Sequence, residues 1–251
     1  MRHVFRVPIV LAFALLMVST APSFAQTVTS PDFLFGKPRG TIGVRTGWVF
    51  ASADSDLFAF VQDHLTLDRK DFNAPAIGID VDLAVTPRAS VVFGFDFSNA
   101  SKLSEYRRFA ENGLPITQET TLREMNLSGG IKYALTPRGR EISSRAWIPS
   151  AFTPYVGAGG GILNYRFVQF GDFVDVETVN NSIFTATLRS DGWTPSAHVF
   201  GGVDVKVWKR LYLSGEGRYL WSRATPDRDF GTFDSIDLAG FKASAGLHYM
   251  F

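Results

Sequence analysis

The chain contains no cysteine, which excludes a disulfide framework, a thiolate metal site and a cysteine nucleophile. It carries almost no net charge: 25 Lys and Arg stand against 24 Asp and Glu, a formal +1. Such a balance supplies no basic field for nucleic acid and no acidic tail. Beyond its first 25 residues it also lacks any apolar run approaching the roughly 20 residues that a membrane-spanning helix needs, so any membrane passage there is by strands. What is present is a folding composition, 45% hydrophobic with 20% charged and 23 glycines, rather than a disordered one.

The N-terminus has the layout of an export signal. Arg2 and Arg6 form a cationic start, Val7 to Val18 an apolar core interrupted by Pro8, and Ser23 and Ala25 flank Phe24 with small residues at the cleavage positions. Residues 1–25 are therefore expected to be a secretory signal peptide cut after Ala25. Its apolar core is too short to serve as an anchor.

From residue 41 onward, period-two alternation recurs eight times, the pattern of strands with one apolar face. Ile42, Val44, Trp48 and Phe50 form the first such face. Ile77 to Val85, Val91 to Phe97, and Met125 to Leu135 supply the next three. A glycine-rich fifth segment is phased with Tyr155, Leu163, Tyr165 and Phe167 on the apolar face and Ala158, Asn164 and Arg166 opposite. Val199 to Val207, Leu211 to Trp221, and Phe241 to Phe251 complete the set.

The opposite faces decide what the apolar ones meet. A water-soluble barrel of lipocalin type would crowd its polar face with Lys, Glu and Thr. Here that face is mostly Gly, Ala, Ser and Asn, with six cations (Arg45, Lys132, Arg166, Lys206, Arg218, Lys242) and six anions (Asp80, Asp82, Asp96, Glu124, Asp204, Glu216). A one-to-one set can pair inside a narrow barrel, where unpaired charges would be costly. On a lipid-facing surface an Arg or Lys costs about 2–4 kcal/mol at the bilayer midplane, and none of the twelve falls on an apolar face. The expectation is an inside-out barrel with an interior charge network.

Aromatics and connections support the same reading. With strands alternating in direction, Trp48, Tyr165, Trp193, Tyr219 and Trp221 collect at one end and Tyr133, Tyr155, Trp208, Tyr249 and Phe251 at the other, as two interfacial belts. Thr86-Pro87-Arg88 and Lys209-Arg210 are tight turns, and Thr136-Pro137-Arg138 repeats the first turn's chemistry. Residues 51–73, 99–120, 171–192 and 223–235 are expected as long outer loops. The stretch from Thr136 to Phe152 is longer than a minimal turn.

The last strand ends in Leu247, Tyr249 and Phe251 on one face, which resembles the C-terminal assembly signal of bacterial outer-membrane barrels. With the export signal and the eight segments, roughly residues 37–251 resemble the small outer-membrane β-barrel family of the OmpA transmembrane-domain, OmpX and OmpW type. That resemblance implies an all-β, eight-stranded antiparallel up-and-down transmembrane β-barrel over residues 41–251, preceded by a periplasmic segment over 26–40. It further implies a place in the outer membrane of a Gram-negative bacterium, lipid neighbours, and a barrel-assembly machinery that reads Leu247, Tyr249 and Phe251. The peptidoglycan-binding domain of full OmpA is not expected. The expected state is a monomer.

No motif announces chemistry. Ser55 to Leu65 in the first loop places Leu57, Val61 and Leu65 on one helical face, a short helix for capping the mouth or lying on the outer leaflet. Ser196, His198 and Asp204 share an inward face, where an acyl chain in lipid has no access, so His198, like His248, is expected to be an interior histidine. Asp80 and Asp82 read as partners for interior cations. Gly157 and Gly159 to Gly161 lie in a strand with no helix after them, unlike a phosphate loop, and no spacing suggests a metal site. The expected function is a non-enzymatic envelope role with loops available for binding, without cofactor or nucleic acid. The alternatives are an OmpW-like conduit for small hydrophobic molecules and a lipid-modifying enzyme. An eight-stranded interior can be filled by side chains, so a general porin is not expected.

Overall fold

A computed structural model describes residues 33–111, 113–143, 146–175 and 182–251; the export signal expected over 1–25 lies outside these residues. Eight long strands form the wall: β1 (Gly40–Ala51), β2 (Ala74–Ala84), β3 (Ala89–Glu111), β4 (Leu114–Ala134), β5 (Phe152–Asp175), β6 (Ser182–Lys206), β7 (Leu211–Ala224) and β8 (Gly240–Met250). Each pairs antiparallel with the next. β8 then pairs with β1, for example Leu247 with Val44 and Gly240 with Ala51, and the ring closes. Closure removes both sheet edges, which a lipid environment requires.

Strand length divides the barrel. β1, β2 and β8 have 12, 11 and 11 residues, whereas β3 to β6 have 23, 21, 24 and 25. At about 3.3 Å per residue the four long strands far exceed an apolar band about 25 Å tall. Residues 99–111 with 114–120, and 171–175 with 182–192, are therefore paired strand rather than loop. Sequence alternation missed them because polar residues stand on both sides of the sheet there. Ladder pairing persists, as in Ser104 with Gln118 and Gln169 with Leu188. At the opposite end, the long link after Thr136 contains the strands Gly139–Ser143 and Ala146–Pro149, which with Leu34–Phe35 form a three-stranded sheet. Leu34 and Trp147 pack on Tyr212 and Met250 beneath the barrel.

The first loop folds into helix α1 (Asp56–His64), which buries Leu57, Phe58 and Val61. Burial at about 1.5–3 kcal/mol per large apolar side chain holds the helix in the mouth rather than on the lipid surface. There it meets Leu65, Phe72, Phe230 and the inward residues Leu122, Leu163, Tyr165 and Phe167 in one core. Phe58 lies 4.7 Å from Phe72 and 6.0 Å from Phe167, ring centre to ring centre.

That core corrects the fifth segment. Tyr155, Leu163, Tyr165 and Phe167 point inward and are at most 3% exposed, while Val156, Ala158, Ile162 and Arg166 face out. Apolar residues were expected outside, but the upper barrel contains its own apolar core, so hydropathy alone inverts the phase. Gly157, Gly159 and Gly161 carry no side chain to correct it. Tyr155 and Tyr165 accordingly leave the belts, which retain exposed Trp48, Trp193 and Trp221 at one end and Tyr133, Trp208, Tyr249 and Phe251 at the other.

Candidate functional site

The lumen is held by ion pairs anchored on facing strands. Arg45 of β1 reaches three carboxylates: Nε is 3.2 Å from Asp80 Oδ1, Nη2 3.1 Å from Asp96 Oδ1, and Nη1 3.0 Å from Glu216 Oε1. Arg218 joins the same group, 3.0 Å from Glu216 and 3.6 Å from Asp96, and Lys242 contacts Asp96. Tyr155 donates to Glu216 Oε2 at 3.2 Å, and His248 Nε2 is 3.0 Å from Asp80 Oδ2. Toward the C-terminal end, Lys132 Nζ lies 2.8 Å from Asp204 and 3.5 Å from Asp82, and Arg138 lies 3.4 Å from Asp82. The Lys132 ammonium also sits 3.8 Å from the centre of the Tyr155 ring, a cation–π contact. Across both clusters five cations meet five carboxylates, which is the condition for holding charge out of water.

The remaining members of the expected network are placed differently. Lys206 shares the inward face and has Tyr212 opposite in register. Glu124 is inward, lines the void beneath the cap that Asp96, Arg218 and Lys242 also line, and has Ser98 as its hydrogen-bond partner. Arg166 is exposed on the outside of β5; it left the network with the inverted phase of that strand. Sequence reasoning missed Arg138 and Tyr155 and named no partner for His248. Arg138 stands in a turn where alternation says nothing, and Tyr155 was phased outward.

The arrangement leaves little room for chemistry or passage. Ser196 donates to Asn126 at 2.9 Å, His198 is buried against Phe200, and Asp204 is engaged by Lys132. Ser196 and Asp204 are eight residues apart on one strand, about 26 Å at 3.3 Å per residue, too far for a relay. The void beneath the cap has a volume of about 50 Å³, and another beside Asp82 and His248 about 20 Å³. Among the described residues no group of His, Asp and Glu is placed to hold a metal.

The exterior is the converse of the lumen. The outward positions of β1 from Ile42 to Phe50, of β2 from Ile77 to Val85, of β6 from Trp193 to Val207 and of β8 from Phe241 to Phe251 include no charged residue. Ile42, Val44, Ile79, Phe93, Ile131 and Leu213 are each half or more exposed. Such an apolar belt around a charged interior is the distribution of a membrane-spanning β-barrel. Leu247, Tyr249 and Phe251 lie on the outside of β8, each more than two-fifths exposed. Above the belt, Asp56 in the first turn of α1 accepts the backbone N–H groups of Asp234 and Ser235 at 2.6 and 3.1 Å. Burial pushes that carboxyl up, but these donors, with the N–H groups of Leu57 and Asp56, together outweigh it and hold the group below the usual aspartate range.

No family model matches the chain, and no curated protein matches its sequence. Solved structures do match its fold. Neisserial surface protein A is 13% identical, with 88% of this chain and 98% of that one covered and a TM-score of 0.46. The outer membrane protein OprG from Pseudomonas aeruginosa is 11% identical, with 87% and 99% covered and a TM-score of 0.47. The outer membrane protease OmpT from Escherichia coli is 11% identical, with 85% and 95% covered and a TM-score of 0.41.

Proposed function

We propose that the protein is a non-enzymatic β-barrel of the Gram-negative outer membrane, whose closed lumen is structural and whose tall outer hairpins are the surface offered for binding. The observation that carries this reading is the charge distribution: five cations and five carboxylates paired within the wall, with no charge on the outward positions of the apolar belt. The capped mouth and small voids support a filled scaffold over a conduit for hydrophobic molecules. The engagement of Ser196 by Asn126 and of Asp204 by Lys132 supports a non-enzymatic role. In this reading Leu247, Tyr249 and Phe251 are the residues presented to the barrel-assembly machinery, and the barrel works as a monomer among outer-membrane lipids.

Membrane fractionation combined with gel migration before and after heating tests the proposal. The expected result is recovery in the outer-membrane fraction, solubilisation only by detergent, and a band whose mobility changes on boiling. Release into the aqueous fraction without detergent would overturn it. Altered lipid A in a strain overproducing the protein would overturn its non-enzymatic part.

A further inference from the structure

On leaving the apolar belt toward the tall hairpins, three consecutive strands present charge at the same level. Arg123 of β4 is paired in register with Arg166 of β5, and Arg166 with Asp191 of β6. All three side chains face outward, next to the exposed Trp193 of the interfacial belt. Like charges placed directly opposite each other across a sheet are destabilising, so this pair needs a compensating partner. Asp191 is shared: Arg189 lies 2.7 Å from its Oδ1 and Arg228 3.4 Å, and the Arg166 charge also acts on it through space, while Arg228 is in addition 3.7 Å from Asp227. Among the described residues neither Arg123 nor Arg166 is in an ion pair of its own. The Arg123 guanidinium lies over the Phe97 ring at 5.3 Å and donates to the Met125 thioether at 3.4 Å, while its Nε is buried without a partner.

We propose that Arg123 and Arg166 form a phosphate-binding clamp for the headgroup of a phosphorylated glycolipid in the outer leaflet. This rests on the outer-membrane reading above and adds to it a specific lipid ligand. The site stands where the apolar wall ends, which is the depth of a lipid phosphate, and it lies at the end of the barrel opposite Phe251. Two guanidinium groups, of which Arg123 commits one nitrogen to Met125 and neither is held, among the described residues, in an ion pair closer than 4 Å, match the oxygens of a phosphate monoester. Phe97 and Met125 hold one fork against the wall, and Trp193 offers an interfacial ring beside the sugar level. One carboxylate divided among Arg166, Arg189 and Arg228 leaves the Arg123–Arg166 pair short of negative charge, which a ligand phosphate supplies.

The test uses the folded barrel in detergent micelles and native mass spectrometry, with a bisphosphorylated glucosamine-disaccharide lipid and its dephosphorylated form as probes. The native protein is expected to retain the phosphorylated lipid about tenfold more than the dephosphorylated one, a difference of about 1.4 kcal/mol. The Arg123→Ala/Arg166→Ala double variant is expected to lose that preference, and the Lys/Lys double variant to recover part of it. Equal retention of both lipids by the native barrel would overturn the clamp, and this arm needs no variant to fold. Undiminished preference in the Ala/Ala variant would overturn it as well, and a native barrel that holds inorganic phosphate as tightly as the phosphorylated lipid would overturn the lipid assignment. Native protein whose mobility does not change on boiling would instead overturn the barrel reading itself.

Discussion

Arg45 touches Asp80, Asp96 and Glu216 at once, so its removal leaves three carboxylates facing one another with Arg218, Lys242, His248 and, farther off, Lys132 to answer them. Removing one partner of a buried pair typically costs about 3–5 kcal/mol, against about 0–1 kcal/mol for an exposed pair. Arg45→Met is therefore expected to lower the unfolding free energy of the barrel, measured by urea titration in micelles, by about 3–5 kcal/mol. Arg189→Ala, at the partly exposed Arg189–Asp191 pair, should change it by less than about 1 kcal/mol. Glycines offer a second contrast. A Cβ at Gly159 would run into the Gly129 carbonyl and the His198 ring, whereas one at Gly215 meets nothing within 4 Å. Overpacking costs about 1–3 kcal/mol, so Gly159→Ala should destabilise by that amount, and Gly215→Ala should stay within about 0.5 kcal/mol. The sequence shows which residues are charged and which small, and alternation places Arg45, Asp80 and Glu216 inward. It does not show that Gly157 and Gly159 make room for Phe200 and His198, because that fit depends on the neighbouring strand's register. The same blindness sent Arg166 to the wrong side.

Helix α1 is an element the sequence announces only in part. Leu57, Val61 and Leu65 give its apolar stripe, yet Phe58, fully buried among Phe72 and Phe167, stands off that stripe because the helix is enclosed by the mouth on more than one side. The partner surface, the inward Leu163, Tyr165 and Phe167, was hidden by the inverted phase of β5. Because the cap is a small core above the ladder, Phe58→Ala should loosen it locally. The expected outcome is faster proteolytic cutting within residues 56–72, with the boiling-dependent mobility of the barrel unchanged; loss of that mobility shift would show that cap and wall unfold as one unit. The tie between Asp56 and the Asp234–Ser235 backbone gives a pH dependence. Its carboxyl titrates below the ordinary aspartate value in the folded protein. The tie therefore contributes fully above about pH 3.9, the unfolded value, and is lost as pH falls through the lower folded value. Hydrogen-exchange protection factors at amides 234 and 235 should drop on acidification through that range, and in Asp56→Asn they should be low already at neutral pH.

At the scale of the whole molecule, period-two alternation with charge confined to one face was enough to read an inside-out barrel, because the rule that lipid excludes charge acts on every strand separately. Which ligand meets the outer hairpins was not legible, since alternation reports the two faces of a strand and not what its exposed end meets. The same global arrangement predicts electrical behaviour. Three obstructions lie in series along the axis: the α1 core, the Arg45–Glu216–Arg218 group with Tyr155 and Phe200, and the Leu34–Trp147 sheet packed on Met250. Opening one leaves two. The native barrel and Phe58→Ala are therefore both expected to be silent in planar bilayers, with no stepwise conductance above the bare membrane. Steady current through Phe58→Ala alone would mean that the ion-paired lumen is permeable and that the cap is its gate. Current through the native protein would contradict the filled interior altogether. If silence holds for both, solutes do not cross this wall through its centre, and whatever the protein engages it engages from outside, at the hairpins and the arginine pair beneath them.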